Sequence, residues 1–135
     1  MSQENVKIMR QAFAAFGKHG IDALIDYYSE DCVCEELADM PDSTTQPHSG
    51  REGVRRRFER LTGTWEDFVA ELVELIDAGE DIVISVFRVR ARSRDSGIPV
   101  ESSVAFVHEF RDGQVVRDRV FGTKAEALEV AGLRE

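Results

Sequence analysis

The second half of the chain alternates apolar and polar residues with a period of two, and this pattern limits the fold more than any other feature. Turn sequences interrupt the alternation three times, most clearly at Asp112-Gly113, a dipeptide typical of two-residue β-hairpin turns. The pattern therefore predicts consecutive antiparallel strands. Their expected bounds are Phe68–Ala78, Ile82–Arg94, Pro99–Arg111 and Gln114–Gly122.

The first half follows helical spacing instead. Apolar residues recur every three to four positions over Asn5–Lys18 and again over Arg51–Leu61. Between these two helices the sequence predicts a second short helix that carries Tyr28, and a short strand over Cys32–Leu37. Residues 38–50 contain two prolines and many small polar residues, which is typical of a loop.

The end of the chain predicts one more short helix. Thr123 and Glu126 have the spacing of a capping box, in which each residue satisfies a free N–H group at the start of a helix. Helices that precede a run of antiparallel strands are typical of an α+β fold, with the helices packed on one face of a curved sheet. A chain of 135 residues has the length of one domain, so residues 1–135 are predicted to form a single unit.

The charge balance excludes several classes of partner. The chain has 26 acidic and 17 basic residues and a formal net charge of −9, which repels nucleic acid and anionic membrane surfaces. Its polar start carries no secretion signal, and no apolar stretch is long enough to span a bilayer. We therefore expect a cytoplasmic protein. Cys32 and Cys34 agree with a reducing compartment and are interpreted as small, partly buried strand residues.

Three segments carry a resemblance to a known family: AFAAFGKHGIDALIDYYSEDCV, GREGVRRRFERL and FRDGQVVRDRVFGTKAEALEVAGL. Together with the order of elements they resemble the nuclear-transport-factor-2-like fold and, within it, the SnoaL-like and ketosteroid-isomerase-like group. The resemblance implies a cone-shaped, curved antiparallel sheet wrapped around three N-terminal helices. It also implies an apolar pocket on the concave face and a homodimer formed through the sheet. It leaves the reaction open, because one fold hosts many chemistries.

The resemblance implies a candidate general base at Glu36. In ketosteroid isomerase the base is a carboxylate just after the second helix, on the first short strand, and Glu36 takes that position. A carboxylate in apolar surroundings can remove a proton from carbon next to a carbonyl group. Alternatively, Glu36 points to solvent or pairs with an arginine. The oxyanion donors of that enzyme have no counterpart, since Ala12 or Phe13 and then Phe106 fall at their positions.

Other polar residues are candidates for the same pocket. His108 lies between Phe106 and Phe110 on one strand face, where it could polarise a carbonyl or act as a hydrogen-bonded core histidine. Arg119 is a third catalytic candidate and needs a carboxylate partner if buried. His48 is interpreted as a surface residue of the 38–50 loop. The ligand-pocket residues predicted with them are Phe13, Phe16, Tyr28, Phe58, Trp65, Val86, Arg88, Val104, Phe106 and Phe121.

The sequence predicts no cofactor and no metal site. It contains no histidine pair at metal-ligand spacing, no glycine-rich phosphate loop and no nucleophile elbow. One hypothesis is a cofactor-free isomerase or cyclase that removes a proton next to a carbonyl group of a hydrophobic small molecule. The alternatives are a non-catalytic dimeric module that binds such a molecule and an interaction protein that uses its sheet only to dimerise.

Overall fold

A computed structural model describes residues 2–36, 48–79 and 81–132 of the chain. Within these residues four helices and five of the six strands follow the predicted order, and the two-residue strand His48–Ser49 was not predicted. The elements are α1 (Ser2–His19), α2 (Ile21–Ile25), β1 (Tyr28–Glu36), β2 (His48–Ser49), α3 (Gly50–Thr64), β3 (Trp65–Asp77), β4 (Ile82–Ser93), β5 (Pro99–Arg111), β6 (Gln114–Phe121) and α4 (Lys124–Val130).

The α+β prediction and the succession of β3 to β6 are confirmed. These strands form an antiparallel meander within one six-stranded sheet of order β2-β1-β6-β5-β4-β3. One pairing differs from the purely antiparallel expectation, because β1 runs parallel to β6. A parallel pair needs a long connection between its strands, and here α3 and three strands of the meander supply it.

The hairpin turn between β5 and β6 has the predicted chemistry. Asp112 and Gly113 both have positive φ angles, 53° and 78°, as a two-residue turn of type I′ requires. The cap of α4 is confirmed as well: the Thr123 hydroxyl oxygen accepts a hydrogen bond from the Glu126 N–H group at 3.1 Å. These local features end β5, start β6 and start α4 where the sequence predicted.

The predicted position of Tyr28 on the second helix is wrong. Helix α2 ends at Ile25, and Tyr28 is the first residue of β1, four residues before the predicted strand start. The Val115 N–H group donates to the Tyr27 carbonyl oxygen at 3.0 Å, so pairing with β6 draws this segment into the sheet. Most of the predicted 38–50 loop lies outside the described residues, and its last part forms β2 and the start of α3.

Two cores lie on opposite faces of the sheet. The inner face packs against α1, α2 and α3 around Met9, Ile25 and Val115, which are each at most 4% exposed. The outer face packs against α4 and includes Val86 and Phe121. No helix among the residues that the structure describes is long and apolar enough to cross a membrane.

Candidate functional site

A cavity of about 370 Å³ lies between the first three helices and the inner face of the sheet. Its volume falls within the range of ligand pockets, about 300–1,000 Å³. Most of its wall is hydrocarbon. The apolar lining residues are Phe13, Phe16, Ile21, Leu24, Val54, Phe58, Leu61, Phe68, Ala70, Leu72, Phe87, Val89, Val104, Phe106 and Val120. The polar side chains on the wall are Tyr28, Cys34, Glu36, Arg57, His108 and Asp118.

A chain of hydrogen bonds crosses the buried end of this cavity. Asp118 accepts from the Tyr28 hydroxyl group at one carboxylate oxygen and lies 2.7 Å from His108 Nδ1 at the other. His108 Nε2 lies 2.7 Å from Ser85 Oγ. All four side chains are buried, and His108 and Asp118 are only 1% and 2% exposed. We call these residues the polar chain.

The Asp118 carboxylate is the acceptor at the centre of the polar chain. A carboxylate only accepts hydrogen bonds, so His108 Nδ1 donates to Asp118, and Ser85 Oγ is the hydrogen-bond partner of Nε2 on the other side of the ring. Burial, followed by the negative charge of Asp118, raises the pKa of Tyr28 well above 10. Tyr28 therefore remains a phenol at neutral pH and a hydrogen-bond donor to Asp118.

Ser85, His108 and Asp118 have the order of a hydrolase triad, but the serine cannot serve as its nucleophile. Ser85 is completely buried and does not line the cavity, whereas His108 and Asp118 do. An attacking hydroxyl group must reach the substrate. Ser85 is thus placed to orient the imidazole ring rather than to attack.

A second polar group surrounds Glu36, near the other end of β1. Its side chain is 6% exposed; one carboxylate oxygen lies 2.7 Å from Arg57 Nε, and the other 3.2 Å from Arg60 Nη2. His48 Nε2 lies 3.7 Å from the second oxygen. The His48 side chain is only 12% exposed, which corrects its interpretation as a surface residue, and burial lowers its pKa below 6.5. Of the alternatives for Glu36, the structure shows the arginine pair.

Cys34 lies between the two polar groups. It is the register partner of Asp118 and precedes Glu36 by two residues on the same strand face. Burial raises the pKa of its thiol to about 12, with the charge of Asp118 adding to the effect and that of Arg57 opposing it. Cys32 and Cys34 are both free, and they are more deeply buried than predicted, at 1% and 4% exposure.

Six of the ten residues predicted for the ligand pocket line the cavity, as do two of the three catalytic candidates. The pocket residues on the wall are Phe13, Phe16, Tyr28, Phe58, Val104 and Phe106. Glu36 and His108 lie on the wall as well, at its two polar groups. Arg119, Trp65, Val86, Arg88 and Phe121 lie elsewhere.

Arg119 and Phe121 face away from the cavity because β6 contains a β-bulge. Phe110 of β5 pairs with Val115, but the preceding Glu109 pairs with Arg117, so β6 carries one extra residue at this point. Val115 faces inward, and strict alternation would have placed Arg117, Arg119 and Phe121 inward with it. The bulge instead turns Asp118 and Val120 toward the cavity.

Val86 and Arg88 also lie on the outer face, for a different reason. The register of β4 with β5 pairs Ser85 with Phe106 and Phe87 with Val104, and residues paired across a sheet share a face. Val86 therefore packs under α4, and Arg88 is exposed to solvent.

Trp65 lies outside the cavity because it is the first residue of β3, at the end of the strand. It is 7% exposed and pairs with Ser93 of β4.

Asp118 is a polar residue of the cavity wall that sequence reasoning missed. Its position follows from the inward direction of His108, because the two are register partners between β5 and β6. The signal that could have found it is the Asp112-Gly113 turn, which fixes the hairpin register, together with an allowance for a bulge. Among the residues described, no group of three or more histidine, cysteine or acidic side chains is arranged to hold a metal ion.

Comparisons with known proteins agree with this architecture. The family model for the SnoaL-like domain matches residues 9–118. A search of curated proteins returned no match. A nuclear-transport-factor-2-like protein from Burkholderia thailandensis is 27% identical, with a TM-score of 0.77 and coverage of 96% of this chain and 98% of the other.

Two further structures with similar folds contain small molecules. TerC, co-crystallised with polyporic acid, is 15% identical and has a TM-score of 0.76, with 96% and 98% of the two chains covered. A protein with a ketosteroid-isomerase-like fold from Catenulispora acidiphila, in complex with trimethylamine, is 15% identical and has a TM-score of 0.69, with 91% and 93% covered.

Proposed function

We propose that this chain, which belongs to the SnoaL-like family, is a cofactor-free enzyme that removes a proton from carbon next to a carbonyl group of a hydrophobic small molecule. The observation that carries the proposal is Asp118, a carboxylate only 2% exposed that faces a mostly apolar cavity. Buried charges are costly and rare, so a carboxylate on a cavity wall marks a candidate site for acid–base chemistry.

The cavity suits a ligand that is mostly hydrocarbon and planar. Aromatic rings surround it in edge-to-face and stacked arrangements: Phe13 lies 5.1 Å from Phe87, and Phe106 stacks on His108 at 5.5 Å with only 5° between the planes. The small molecules bound by TerC and by the Catenulispora acidiphila protein show that similar folds accept organic ligands. A flat ring system is the simplest ligand for such walls.

In the proposed reaction the Asp118 carboxylate takes a proton from the carbon next to the carbonyl group. The electron pair of the broken C–H bond moves to the carbonyl oxygen and forms an enolate. As Asp118 gains the proton it loses its charge, which frees the Tyr28 hydroxyl group to donate to the enolate oxygen. Return of the proton to another carbon isomerises the substrate. Alternatively, the enolate carbon attacks a second carbonyl carbon and closes a ring; the π electron pair of that carbonyl group moves to its oxygen, which takes the proton back from Asp118.

We propose Asp118 as the base in place of Glu36, because the two carboxylates have different partners. Arg57 and Arg60 contact both oxygens of Glu36, and proton uptake there would break two ion pairs in a partly buried site. Among the described residues, Asp118 is hydrogen-bonded to Tyr28 and His108 and forms no ion pair with an arginine or a lysine. Its proton uptake therefore breaks no arginine or lysine ion pair.

The test is hydrogen exchange on a simple carbonyl compound. 2-Tetralone in D₂O loses its proton signals next to the carbonyl group when a base catalyses enolisation, and NMR follows the rate. We expect the protein to accelerate this exchange and Asp118→Asn to reduce the acceleration by about 100-fold or more. Asp95→Asn, in the exposed turn between β4 and β5, is the matched control and should behave as wild type.

Circular dichroism and thermal unfolding would show whether Asp118→Asn keeps its fold, since asparagine preserves the size of the side chain. A folded Asp118→Asn protein with the wild-type exchange rate would refute the proposal that Asp118 is the base.

The binding-module alternative has one observation in its favour: both oxygens of Asp118 already accept hydrogen bonds. If 2-tetralone binds by calorimetry without faster exchange, the cavity binds such compounds without turning them over, and the enzyme proposal fails while the binding proposal stands.

A further inference from the structure

Arg57 presents to the cavity a guanidinium group whose Nε atom donates no hydrogen bond to the residues that the structure describes. It lines the cavity from α3, its side chain is 19% exposed, and its Nε atom contacts Glu36. The guanidinium carbon lies 5.9 Å from the centre of the Phe106 ring. The Nε atom is buried and has no hydrogen-bond partner among the described residues, although Glu36 Oε1 lies 2.7 Å from it. Donors beside an apolar cavity are normally satisfied, so an acceptor from a ligand is the expected partner.

The charge around Arg57 favours an acceptor that is negatively charged. Arg57 and Arg60 carry two positive charges, and Glu36 carries one negative charge. His48 adds no charge at pH 7, because burial lowers its pKa below the ordinary 6.5. Counted over the described residues, the cluster therefore has one more positive than negative charge at the cavity wall, where the apolar surroundings strengthen its attraction for an anion.

The aromatic walls connect this positive group to the polar chain. Phe106 lies between them: Arg57 is placed over its ring at 5.9 Å, and His108 stacks against it at 5.5 Å. Asp118 of β6 pairs with Cys34 of β1, and Glu36 lies two residues further along β1. The two carboxylate residues are therefore about 7 Å apart along the strand direction. A ligand of one or two rings can therefore lie across Phe106 and reach both ends.

We propose that the ligand of this cavity is an aromatic or polycyclic acid, whose ionised group, such as a carboxylate, is bound by the guanidinium group of Arg57. The inference rests on the proposed function and names its substrate class: the acidic group lies at Arg57 and the reacting carbon at Asp118. The planar guanidinium group binds a carboxylate through two parallel hydrogen bonds, so it also sets the orientation of the ring system.

The experiment compares two probes that differ only in charge. 2-Naphthoate carries a carboxylate, and 2-naphthamide is a neutral molecule of nearly the same shape. Isothermal titration calorimetry of the wild-type protein at pH 7 should show that the carboxylate binds at least about 10-fold more tightly than the amide, as expected for a charge-assisted pair. This comparison needs no variant.

Three variants test whether Arg57 is responsible for the preference for the carboxylate. Arg57→Gln should remove the preference for naphthoate and leave naphthamide affinity nearly unchanged. Arg56→Gln, the exposed neighbour on the same helix, is the matched control and should keep the preference. Glu36→Gln should act in the opposite direction and tighten naphthoate binding several-fold, because it removes the carboxylate that competes for Arg57.

Equal affinities of the two probes in the wild-type protein would overturn the inference, as would a folded Arg57→Gln protein that still prefers naphthoate. These outcomes are distinct from failure of the proposed function. Suppose that Asp118→Asn loses the tetralone exchange while the wild-type protein binds both probes equally well. The proposed function would then stand, and only the proposal of an acidic substrate would be refuted.

Discussion

His108 on β5 and Asp118 on β6 lie directly opposite each other in the sheet, and His108 Nδ1 is 2.7 Å from Asp118 Oδ1. This pair joins the two residues with the strongest claim to acid–base chemistry. Ser85 and Tyr28 extend it on either side, so each of the four groups depends on its neighbours for orientation. In a buried network of this kind, a polar group without a hydrogen bond lowers the stability of the fold by more than one formed hydrogen bond raises it. The fold is therefore most stable when every member of the network is paired.

Ser85→Ala should weaken the site without removing any group that faces the cavity. We expect a loss of about 1 kcal/mol of stability from the missing buried hydrogen bond, and an exchange rate on 2-tetralone that falls about fivefold. Nitrogen-15 NMR of His108 should show that the substitution changes the chemical shift of Nε2 more than that of Nδ1. Ser103→Ala, exposed on β5, is the control; a Ser85→Ala protein that matches it in rate and spectrum would contradict a positioning role.

Alkaline pH should destabilise the fold through its buried thiols. Burial raises the pKa of Cys34 from 9 to about 12, so the folded protein holds this proton more tightly than the unfolded chain does. The contribution of the protonated Cys34 thiol to the free energy of unfolding is complete below about pH 9 and is lost progressively as the pH rises toward 12. Urea unfolding across this range should show a shallower decline for Cys34→Ala than for wild type. Identical declines would show that Cys34 does not carry the effect.

Two glycines of α3 should respond to alanine in opposite directions. A Cβ atom at Gly53 would lie 2.9 Å from the carbonyl carbon of His48, so Gly53→Ala must displace β2 and should cost about 1–3 kcal/mol. At Gly63 nothing lies within 4 Å, and Gly63→Ala should raise stability by about 0.5–1 kcal/mol. Urea unfolding measures both values. The packing argument fails if Gly53→Ala is as stable as Gly63→Ala.

A homodimer formed through the sheet stays a prediction. Val69 lies on the outer face of β3 opposite Arg90 and is 47% exposed, which leaves apolar surface for a second copy. Light scattering after size exclusion should give about twice the 15.2 kDa chain mass, and Val69→Glu should lower it. A wild-type mass of one chain would refute the dimer.

The fold was predictable because its signals are local. The Asp112-Gly113 turn, the Thr123 cap and the alternation of β3 to β6 each act over a few residues, and the structure confirms them. Tyr28 was assigned to the wrong element, because its place in the sheet depends on pairing with Val115, far away in the chain.

The faces of the strands were harder to predict than the strands themselves. Val83 and Ile84 are both completely buried, so apolar character does not distinguish the inner face of β4 from the outer face. On β6 a single extra residue after Val115 reverses the alternation and exchanges Arg119 for Asp118 at the cavity wall. Register and bulges come from tertiary pairing, which no short sequence window contains.

The parallel pairing of β1 with β6 has a consequence for how the protein is made. Tyr28 and Asp118, joined by a hydrogen bond, are 90 residues apart in the chain. Contacts of such long range form late, because the entropy of closing the intervening chain must be offset first. During synthesis, β1 therefore cannot pair with β6 until the strands of the meander have been made and β6 has left the ribosome. We expect the aromatic cavity wall to be exposed to solvent in that interval, and partly folded chains with exposed apolar surface are prone to aggregate.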